Sequence, residues 1–462
     1  MLLKNRFFVI SLIFSICIQA TELKWDWDSI DVDAVKFDPS FIFGTAIAEH
    51  QVSGSKNSNW SRMDGAIDKK GKPRILNGDM CGIACDFWNK YIEDIELLKQ
   101  LKVKSFRFSV EWSAIEPEQG KIDYEAIAHY HALCDRLIEA GISPVVTLHH
   151  FTHPGWFEDL GGFENENNIK YFVNFCKLMV QQLSSKVLMW ATFNEPGVYV
   201  FQSYIRGVWP PHKHGMNRAG VVMLNMLKAH LDAYHMIKAL PNGKNIQVGL
   251  VHSITHFDAY SDNFIERNVC HILNHTFHDA ITNFFHTGEF EYHVPLLSSI
   301  SYKDSLGTKS LDFFGINYYS HVILRVDTSF QGQVYRDGEI KTDMPYCIYP
   351  EGMYRSIVDI SNRIAKPQGI PIYITENGIA DAKDDRRELF IKRYIYAMHK
   401  AMAEGHDVRG YFYWSLMDNF EWDSGYSQKF GLFDVDFTTQ KRTLRNGSKA
   451  FLDIVQKTYA NY

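Results

Sequence analysis

Short apolar runs recur eight times along this 462-residue chain, and amphipathic stretches long enough for helices lie between them. Such runs, rich in β-branched and aromatic residues, predict buried strands. The predicted strands cover residues 41–48, 105–112, 143–150, 187–195, 246–254, 312–320, 370–378 and 408–418. The predicted helices cover residues 88–101, 124–140, 169–183, 220–240, 266–285, 352–364, 386–403 and 446–458. This alternation indicates parallel β/α units.

No linker rich in proline, glycine or serine divides the eight units. Barrels of eight β/α units often exceed the usual size of one domain, so the length of the chain is compatible with a single domain. We therefore predict an α/β fold, a single (β/α)8 TIM barrel over residues 21–462. Its active site is expected at the carboxyl ends of the strands.

The first 20 residues have a composition of their own. Lys4 and Arg6 precede an apolar run that ends near Ala20. The run has roughly 12 residues, fewer than the about 20 that span a bilayer. We predict a signal peptide over residues 1–20, an exported protein, and no stable membrane span after cleavage. An uncleaved anchor is the alternative, because Ile18 is not the small residue preferred three positions before the cleavage site.

The formal net charge of the chain is -6, and no run of lysine and arginine is present. This negative charge and the absence of a basic run argue against the basic face that nucleic-acid binding needs, so no nucleic-acid partner is predicted.

Six cysteines remain after residue 20. An even number permits disulfides in an exported protein, and Cys81 and Cys85 are close enough in sequence for a local bridge. Cys134 and Cys176 lie in helical apolar patterns and are predicted to be buried free thiols.

Polar and aromatic side chains follow almost every predicted strand, at the end where parallel barrels carry their chemistry. They are Glu49-His50-Gln51, Arg107, His149-His150, Asn194-Glu195, Asn317-Tyr318-Tyr319, Glu376-Asn377, Trp414, and Glu421-Trp422. Glu195 and Glu376 end the fourth and seventh strands, on opposite sides of an eight-stranded ring. Two carboxyl groups across a pocket are what glycoside hydrolysis requires, one protonated as the acid and one ionised as the nucleophile. Arg107 is suited to keep the nucleophile ionised.

Two motifs identify a resemblance to a known family. Thr192-Phe193-Asn194-Glu195-Pro196 and Ile374-Thr375-Glu376-Asn377-Gly378 resemble the signature motifs of the family-one glycoside hydrolases, the β-glucosidase family. The resemblance implies that Glu195 is the acid/base, that Glu376 is the nucleophile, and that Arg107 positions Glu376. It also implies a substrate-binding set made of Gln51, His150, Asn194, Tyr319, Trp414, Glu421 and Trp422.

The expected partner is a small-molecule β-glycoside or an oligosaccharide. No cofactor is predicted. His149, His150 and His153 could alternatively hold a metal ion, but hydrogen bonding to sugar hydroxyls explains the same residues, and no metal is predicted. Relatives that bind 6-phosphorylated sugars replace the Glu421-Trp422 pair, so the resemblance implies a neutral sugar such as glucose or galactose.

Two alternatives keep the fold but change the function: a transglycosylase that passes the sugar to an acceptor, and a catalytically silent barrel that binds a sugar or a protein.

Several positions of the chain differ from the usual family pattern. Ala114 stands in place of an arginine, Ser53 in place of a glutamate, Phe151-Thr152 in place of Trp-Asp, and Tyr346 in place of a tryptophan. The resemblance therefore leaves the aglycone preference open.

Overall fold

The computed structural model describes residues 23–326 and 332–460, and the predicted signal peptide lies outside these residues. Eight parallel strands form a closed barrel. They are Ile42–Ala46, Ser105–Ser109, Ser143–His149, Met189–Asn194, Gln247–Ser253, Phe313–Asn317, Ile372–Asn377 and Val408–Trp414. The eighth strand pairs with the first, with Ile42 opposite Gly410 and Ala46 opposite Trp414. The predicted (β/α)8 barrel is confirmed.

Every predicted strand is present, but each ends earlier than the sequence pattern indicated. Some of the polar residues at the ends of the apolar runs, such as Asn194, Asn317 and Glu376, remain in the strands, and others leave the sheet to form loops or short helices. Glu49–Ser53 and Trp112–Ile115 are helical turns of this kind. The polar side chains therefore lie at the carboxyl-end rim of the barrel, partly on the strand ends and partly on the turns that follow them.

The helices pack around the outside of the barrel. The longer ones are Phe87–Leu101, Tyr124–Glu139, Ile169–Leu183, Met216–Lys238, Phe264–Asn274, Ala280–Thr287, Glu351–Ile360, Arg387–Ala403 and Lys449–Tyr459. Asp123 caps the second of them by accepting hydrogen bonds from the backbone N–H groups of Glu125 and Ala126. Ile169–Leu183 buries a stripe at helical spacing that includes Phe172, Cys176 and Met179.

Three helix predictions need correction. The predicted helix 220–240 begins four residues earlier, at Met216. The predicted helix 266–285 is two α-helical segments joined by the π-helical turn His275–Asp279. The predicted helix 352–364 is Glu351–Ile360 followed by a second π-helical turn, Ser361–Ala365. Apolar periodicity predicts a helix but does not distinguish an α-turn from a π-turn, since one extra residue barely changes the pattern.

Short helices and extra strands extend the loops above and around the barrel. Two further short helices are Gly155–Asp159 and Pro196–Val200, and the latter continues into the π-helical turn Phe201–Ile205. A three-stranded sheet contains His256–Ala259, His321–Arg325 and Gly332–Val334. Two hairpins contain Glu289–Val294 with Ser298–Lys303 and Phe433–Asp436 with Lys441–Leu444. These strands were not predicted, because their half-exposed, short runs carry little apolar signal.

Alternate residues of the barrel strands face two separate apolar cores. Val145, Phe313, Tyr373 and Phe412 belong to the smaller cluster, which we assign to the barrel interior. Their sequence neighbours belong to the large cluster between strands and helices. Trp414 belongs to the inner cluster, and it therefore faces the barrel axis at the end of the eighth strand. No described helix is long and apolar enough to cross a membrane.

Six cysteines lie in the described residues, and all of them are buried free thiols. The prediction for Cys134 and Cys176 is therefore confirmed. Cys81 and Cys85 form no bridge with each other. Instead their thiols contact the backbone carbonyl oxygens of His50 and Asp418, at 3.1 and 2.9 Å.

Candidate active site

An open cavity of about 630 Å³ contains side chains that follow the barrel strands. The structure brings both predicted catalytic residues and all seven predicted substrate-binding residues into its lining. They are Gln51, His150, Asn194, Glu195, Tyr319, Glu376, Trp414, Glu421 and Trp422. Arg107 lies behind this surface, where it contacts Glu376.

Among the described carboxyl groups that line the cavity, Glu376 is the one that contacts a positively charged side chain, Arg107. Nη1 of Arg107 donates to its Oε1 at 2.6 Å, and the hydroxyl of Tyr319 donates to its Oε2 at 2.8 Å. Burial and the charge of Glu376 raise the pKa of Tyr319 well above its ordinary value, so that hydroxyl keeps its proton. Both oxygens of Glu376 thus accept hydrogen bonds from buried donors, and one of these donors is the charged guanidinium of Arg107.

Glu195 is buried in the same cavity but has a different environment. Its Oε1 accepts a hydrogen bond from Nδ2 of Asn317 at 2.7 Å. Burial, followed by the charge of Glu376, raises the pKa of Glu195 to about 8. The φ angle of Glu195 is 45°, in the left-handed region that side chains other than glycine rarely adopt. Near neutral pH the carboxyl group of Glu195 is therefore protonated, whereas the carboxylate of Glu376 beside it is paired with Arg107.

Asn194 connects the catalytic pair to His150. Its Oδ1 accepts from Nη2 of Arg107 at 2.7 Å and from Nδ2 of Asn317 at 3.1 Å. Its Nδ2 must then donate to Nε2 of His150, at 3.1 Å. Burial and the charge of Arg107 lower the pKa of His150 well below its ordinary value, so the ring is neutral and carries its proton on Nδ1. That Nδ1 has no partner among the described residues.

A second polar group lies around Gln51 and Glu421. Nε2 of Gln51 donates to Oε2 of Glu421 at 3.1 Å and to the carbonyl oxygen of Phe420 at 2.9 Å. Within the described chain, Oε1 of Gln51 has no hydrogen-bond partner. Burial, then the charges of Glu376 and Asp423, raise the pKa of Glu421 to about 8. Buried polar atoms without partners cost free energy, so a ligand with several hydroxyl groups would satisfy this part of the cavity.

Three tryptophans, Trp209, Trp414 and Trp422, line the cavity. The ring of His150 is nearly parallel to Trp414 and to Trp422, with ring centroids 5.8 and 6.1 Å away. Trp422 also packs against Trp209, whose Nε1 donates to Oδ1 of Asp423 at 2.6 Å. Flat apolar faces beside hydrogen-bonding groups suit a sugar ring, which has apolar C–H faces and polar edges.

Asn317, Trp209 and Asp423 belong to this site but were not predicted as site residues from the sequence. Asn317 contacts both Glu195 and Asn194, and its position at the end of the sixth strand was a signal that could have found it. Trp209 and Asp423 line the cavity as well. They follow no strand directly, so only the tertiary structure reveals their place.

The departures from the family pattern fall in two places. Phe151 and Tyr346 line the candidate active site. Ser53 and Ala114 line a separate cavity of about 530 Å³, which also contains Glu49 and Glu111. Only the first two positions are therefore placed to affect the aglycone directly.

The three histidines considered for a metal ion face different partners. Nε2 of His149 and Nδ1 of His153 are 3.3 Å apart, and Nε2 of His153 contacts Glu158 at 2.7 Å. His150 faces Asn194 instead. The three rings thus do not converge on one point.

Comparisons with known proteins agree with this geometry. The family described as Glycosyl hydrolase family 1 matches residues 34–459. The chain is 31% identical to β-glucosidase A of Thermotoga maritima over 444 residues, covering 91% of this chain and 98% of that one. It is 30% identical to a 6-phospho-β-galactosidase of Clostridium acetobutylicum over 467 residues, covering 90% and 96% of the two chains.

Solved structures give the same result. A β-glycosidase from Pyrococcus horikoshii superimposes with a TM-score of 0.79 at 34% identity, covering 92% of this chain and 95% of that one. The β-glucosidase from Thermotoga maritima in complex with deoxynojirimycin superimposes with a TM-score of 0.81 at 29% identity, covering 92% and 99%.

Proposed function

The chain belongs to glycosyl hydrolase family 1, and from this membership and the geometry of its cavity we propose that it is a retaining β-glycosidase. It releases a terminal, non-reducing, neutral β-D-glycosyl residue from a glucoside or galactoside. The observation that carries the proposal is the contrast between Glu195, with its pKa raised to about 8, and Glu376, paired with Arg107. An acid and a nucleophile are thus available together near neutral pH.

The proposed reaction has two steps. In the first, a carboxylate oxygen of Glu376 bonds to the anomeric carbon while Glu195 gives its proton to the departing glycosidic oxygen. The aglycone leaves as an alcohol, and a glycosyl ester of Glu376 remains. In the second, Glu195, now ionised, takes a proton from water as the water oxygen bonds to the anomeric carbon. Glu376 is released as a carboxylate, and Glu195 is protonated again.

The proposed substrate contacts follow from the unpartnered polar atoms. Nδ1 of His150 donates to one hydroxyl of the sugar, and Oε1 of Gln51 accepts from another. Glu421 binds a hydroxyl at the far end of the ring, and Trp414 supports an apolar face of the ring.

Near the reacting carbon, Asn194, next to Glu195, binds the hydroxyl on the carbon beside the anomeric centre. Tyr319 holds Glu376, and Trp422 closes the cavity beside His150.

A neutral sugar is favoured over a 6-phosphorylated one because Glu421 and Asp423 line the same part of the cavity. The charge of Asp423 would repel a phosphate dianion, and Glu421 would add to the repulsion as it ionises when the pH rises through its pKa of about 8. We expect nitrophenyl β-glucoside or β-galactoside to be hydrolysed faster than its 6-phospho counterpart. Glu421→Gln should narrow the difference above about pH 8, where it removes an ionised carboxylate. Faster hydrolysis of the 6-phospho substrate by the unmodified protein would contradict the assignment.

Proton NMR of the anomeric region during early hydrolysis tests the mechanism. Retention requires the β-anomer to appear first and the α-anomer only later, by mutarotation. An α-anomer formed first would refute the double displacement, and it would imply carboxyl groups roughly 6.5–9.5 Å apart instead of about 5–5.5 Å.

Two further measurements separate the alternative functions. No turnover above a Glu376→Ala control across a panel of glycosides would favour a silent binding barrel. New glycosides formed when an acceptor sugar is added, at the expense of free sugar, would favour a transglycosylase.

We also propose that residues 1–20 direct export and are removed. Lys4, Arg6 and the apolar run after them support this proposal. N-terminal sequencing of the protein recovered from its native source should begin near Thr21. A retained Met1 would show that the segment is not cleaved.

A further inference from the structure

A compact group of polar side chains adjoins the cavity through His321 and has no part in the reaction proposed above. His321 begins the strand His321–Arg325, and Glu339 and Cys347 lie on the segment that follows. One potential ligand atom from each of the three residues lies within 4.8 Å of the other two. His321 and Cys347 are 1% and 2% exposed, and the side chain of Glu339 is 15% exposed. The group is therefore enclosed, with one edge open to solvent.

The imidazole of His321 is held in one orientation. Its Nδ1 contacts Oδ2 of Asp258 at 2.9 Å, and its ring stacks on Tyr349 with centroids 3.8 Å apart. Both Nη atoms of Arg355 bind the Asp258 carboxylate, at 3.0 and 3.1 Å. Nε2 of His321 consequently faces the other way, toward Oε1 of Glu339 at 3.3 Å.

This arrangement is typical of a metal-binding histidine, which donates one ring N–H to a carboxylate and presents its other nitrogen to the ion. A nitrogen, a thiolate and a carboxylate oxygen are the three ligand types that zinc takes in proteins. Calcium and magnesium prefer oxygen ligands alone, so this set selects against them.

We propose that Nε2 of His321, Sγ of Cys347 and the carboxylate of Glu339 bind one zinc ion, with solvent at the fourth position. Without the ion, a proton bridges Nε2 and Glu339. Binding releases that proton and the thiol proton of Cys347 to solvent, and forms bonds from the metal to nitrogen, sulfur and oxygen.

The ion has a structural consequence for the cavity. Met344, Pro345 and Tyr346 line the cavity, and they lie between Glu339 and Cys347 in the chain. His321 lines the cavity from the neighbouring strand. A zinc ion at this place ties both ends of the segment to that strand, and so it fixes the wall that carries Tyr346.

Cobalt is the direct spectroscopic probe of the site. The full-length protein is treated with a chelator, dialysed and titrated with Co²⁺ alone. A thiolate-to-cobalt charge-transfer band in the near ultraviolet should saturate at one equivalent, and added Zn²⁺ should remove it. Surface histidines that bind cobalt give no such band, because they supply no sulfur. Absence of the band would overturn the proposal.

Substitutions test whether the thiolate-to-cobalt band arises from His321, Glu339 and Cys347. Cys347→Ser should abolish the band, whereas Cys134→Ser, which removes another buried thiol, should retain it. A band that persists in folded Cys347→Ser would overturn the proposal. If circular dichroism shows that Cys347→Ser does not fold, Glu339→Gln decides the question. It keeps the thiol but removes a ligand, so cobalt affinity should fall by about 10-fold or more. Unchanged affinity in Glu339→Gln would contradict the site.

Discussion

Glu195 and Glu376 share a cavity but have different neighbours, and this difference predicts how single substitutions act. Glu195→Gln removes the proton that the departing oxygen needs. General acid catalysis contributes about 10²–10⁴-fold, so we expect a loss of that order in kcat/KM for alkyl glycosides. Dinitrophenyl glycosides need little protonation, and their first step should be largely kept. Measuring kcat/KM for both substrate types checks this, and equal losses for both would contradict the role of Glu195.

The pH dependence of the reaction also originates in this pair. Because Glu195 must be protonated to act as the acid, kcat/KM should fall as the pH rises through the pKa of Glu195, about 8. The charge of Glu376 is one cause of the raised pKa. Glu376→Gln removes that charge and should therefore lower the pKa of Glu195. Carbon-13 NMR of labelled glutamate in the two proteins measures the change. An unchanged or higher pKa in Glu376→Gln would show that the two groups do not interact.

At the scale of elements, the helix Arg387–Ala403 fixes the loops after the seventh and eighth strands. Arg387 is fully buried, and its guanidinium donates to the carbonyl oxygens of Ile379 and Phe430, each at 3.1 Å. The same group donates to the hydroxyl of Tyr413 at 2.8 Å. Phe430 lines the candidate active site. A residue at the start of a helix thus determines where part of the cavity wall lies.

Replacing this guanidinium tests its contribution to stability. Arg387→Met leaves several buried carbonyl groups and Asp384 without their partner. Breaking a buried ion pair on one side typically lowers the free energy of unfolding by about 3–5 kcal/mol, and we expect a loss of that size. Arg409→Met is the matched control, because its pair with Asp407 is half exposed. Such pairs contribute about 0–1 kcal/mol. Urea unfolding of both variants measures the difference, and equal losses would contradict the assigned role.

At the scale of the whole molecule, buried acidic groups make stability depend on pH. Glu49 is 1% exposed, and Ser53 and Glu111 are the neighbours that act on its carboxyl group. Burial raises the pKa of Glu49 from its ordinary value of 4.5 to about 8, and the charge of Glu111 adds to the rise. Between these two pH values the folded protein keeps a proton that the unfolded chain has lost. The contribution of Glu49 to stability is therefore fully present below pH 4.5 and is lost as the pH rises to about 8.

Glu49→Gln removes this titration. We expect the variant to gain stability relative to the unmodified protein as the pH is raised from 5 to 8, by about 1 kcal/mol or more. Unfolding by urea at a series of pH values measures the change. Glu118→Gln alters an exposed side chain and serves as the control. A constant difference between Glu49→Gln and the unmodified protein at all pH values would argue against a buried proton at this site.

The sequence by itself determined the barrel and the position of its reactive residues. Apolar runs and helical periodicity are local patterns, and eight of each allow few arrangements other than a closed parallel barrel. Because the carboxyl ends of parallel strands meet at one rim, residues such as Glu195, Glu376 and Trp414 could be placed in one cavity before any contact was known.

Only the tertiary structure decided how these residues differ from one another. Burial, and the charges brought close by folding, set the protonation of Glu195 and Glu421, and neither can be read from a local pattern. Trp209 meets Asp423 across 214 positions of sequence. His321 meets Asp258 across 63 positions and Glu339 across 18, in a sheet too short to be predicted. Contacts of this kind depend on where loops lie once the barrel has closed, and loop paths are determined by long-range packing, which sequence periodicity does not encode.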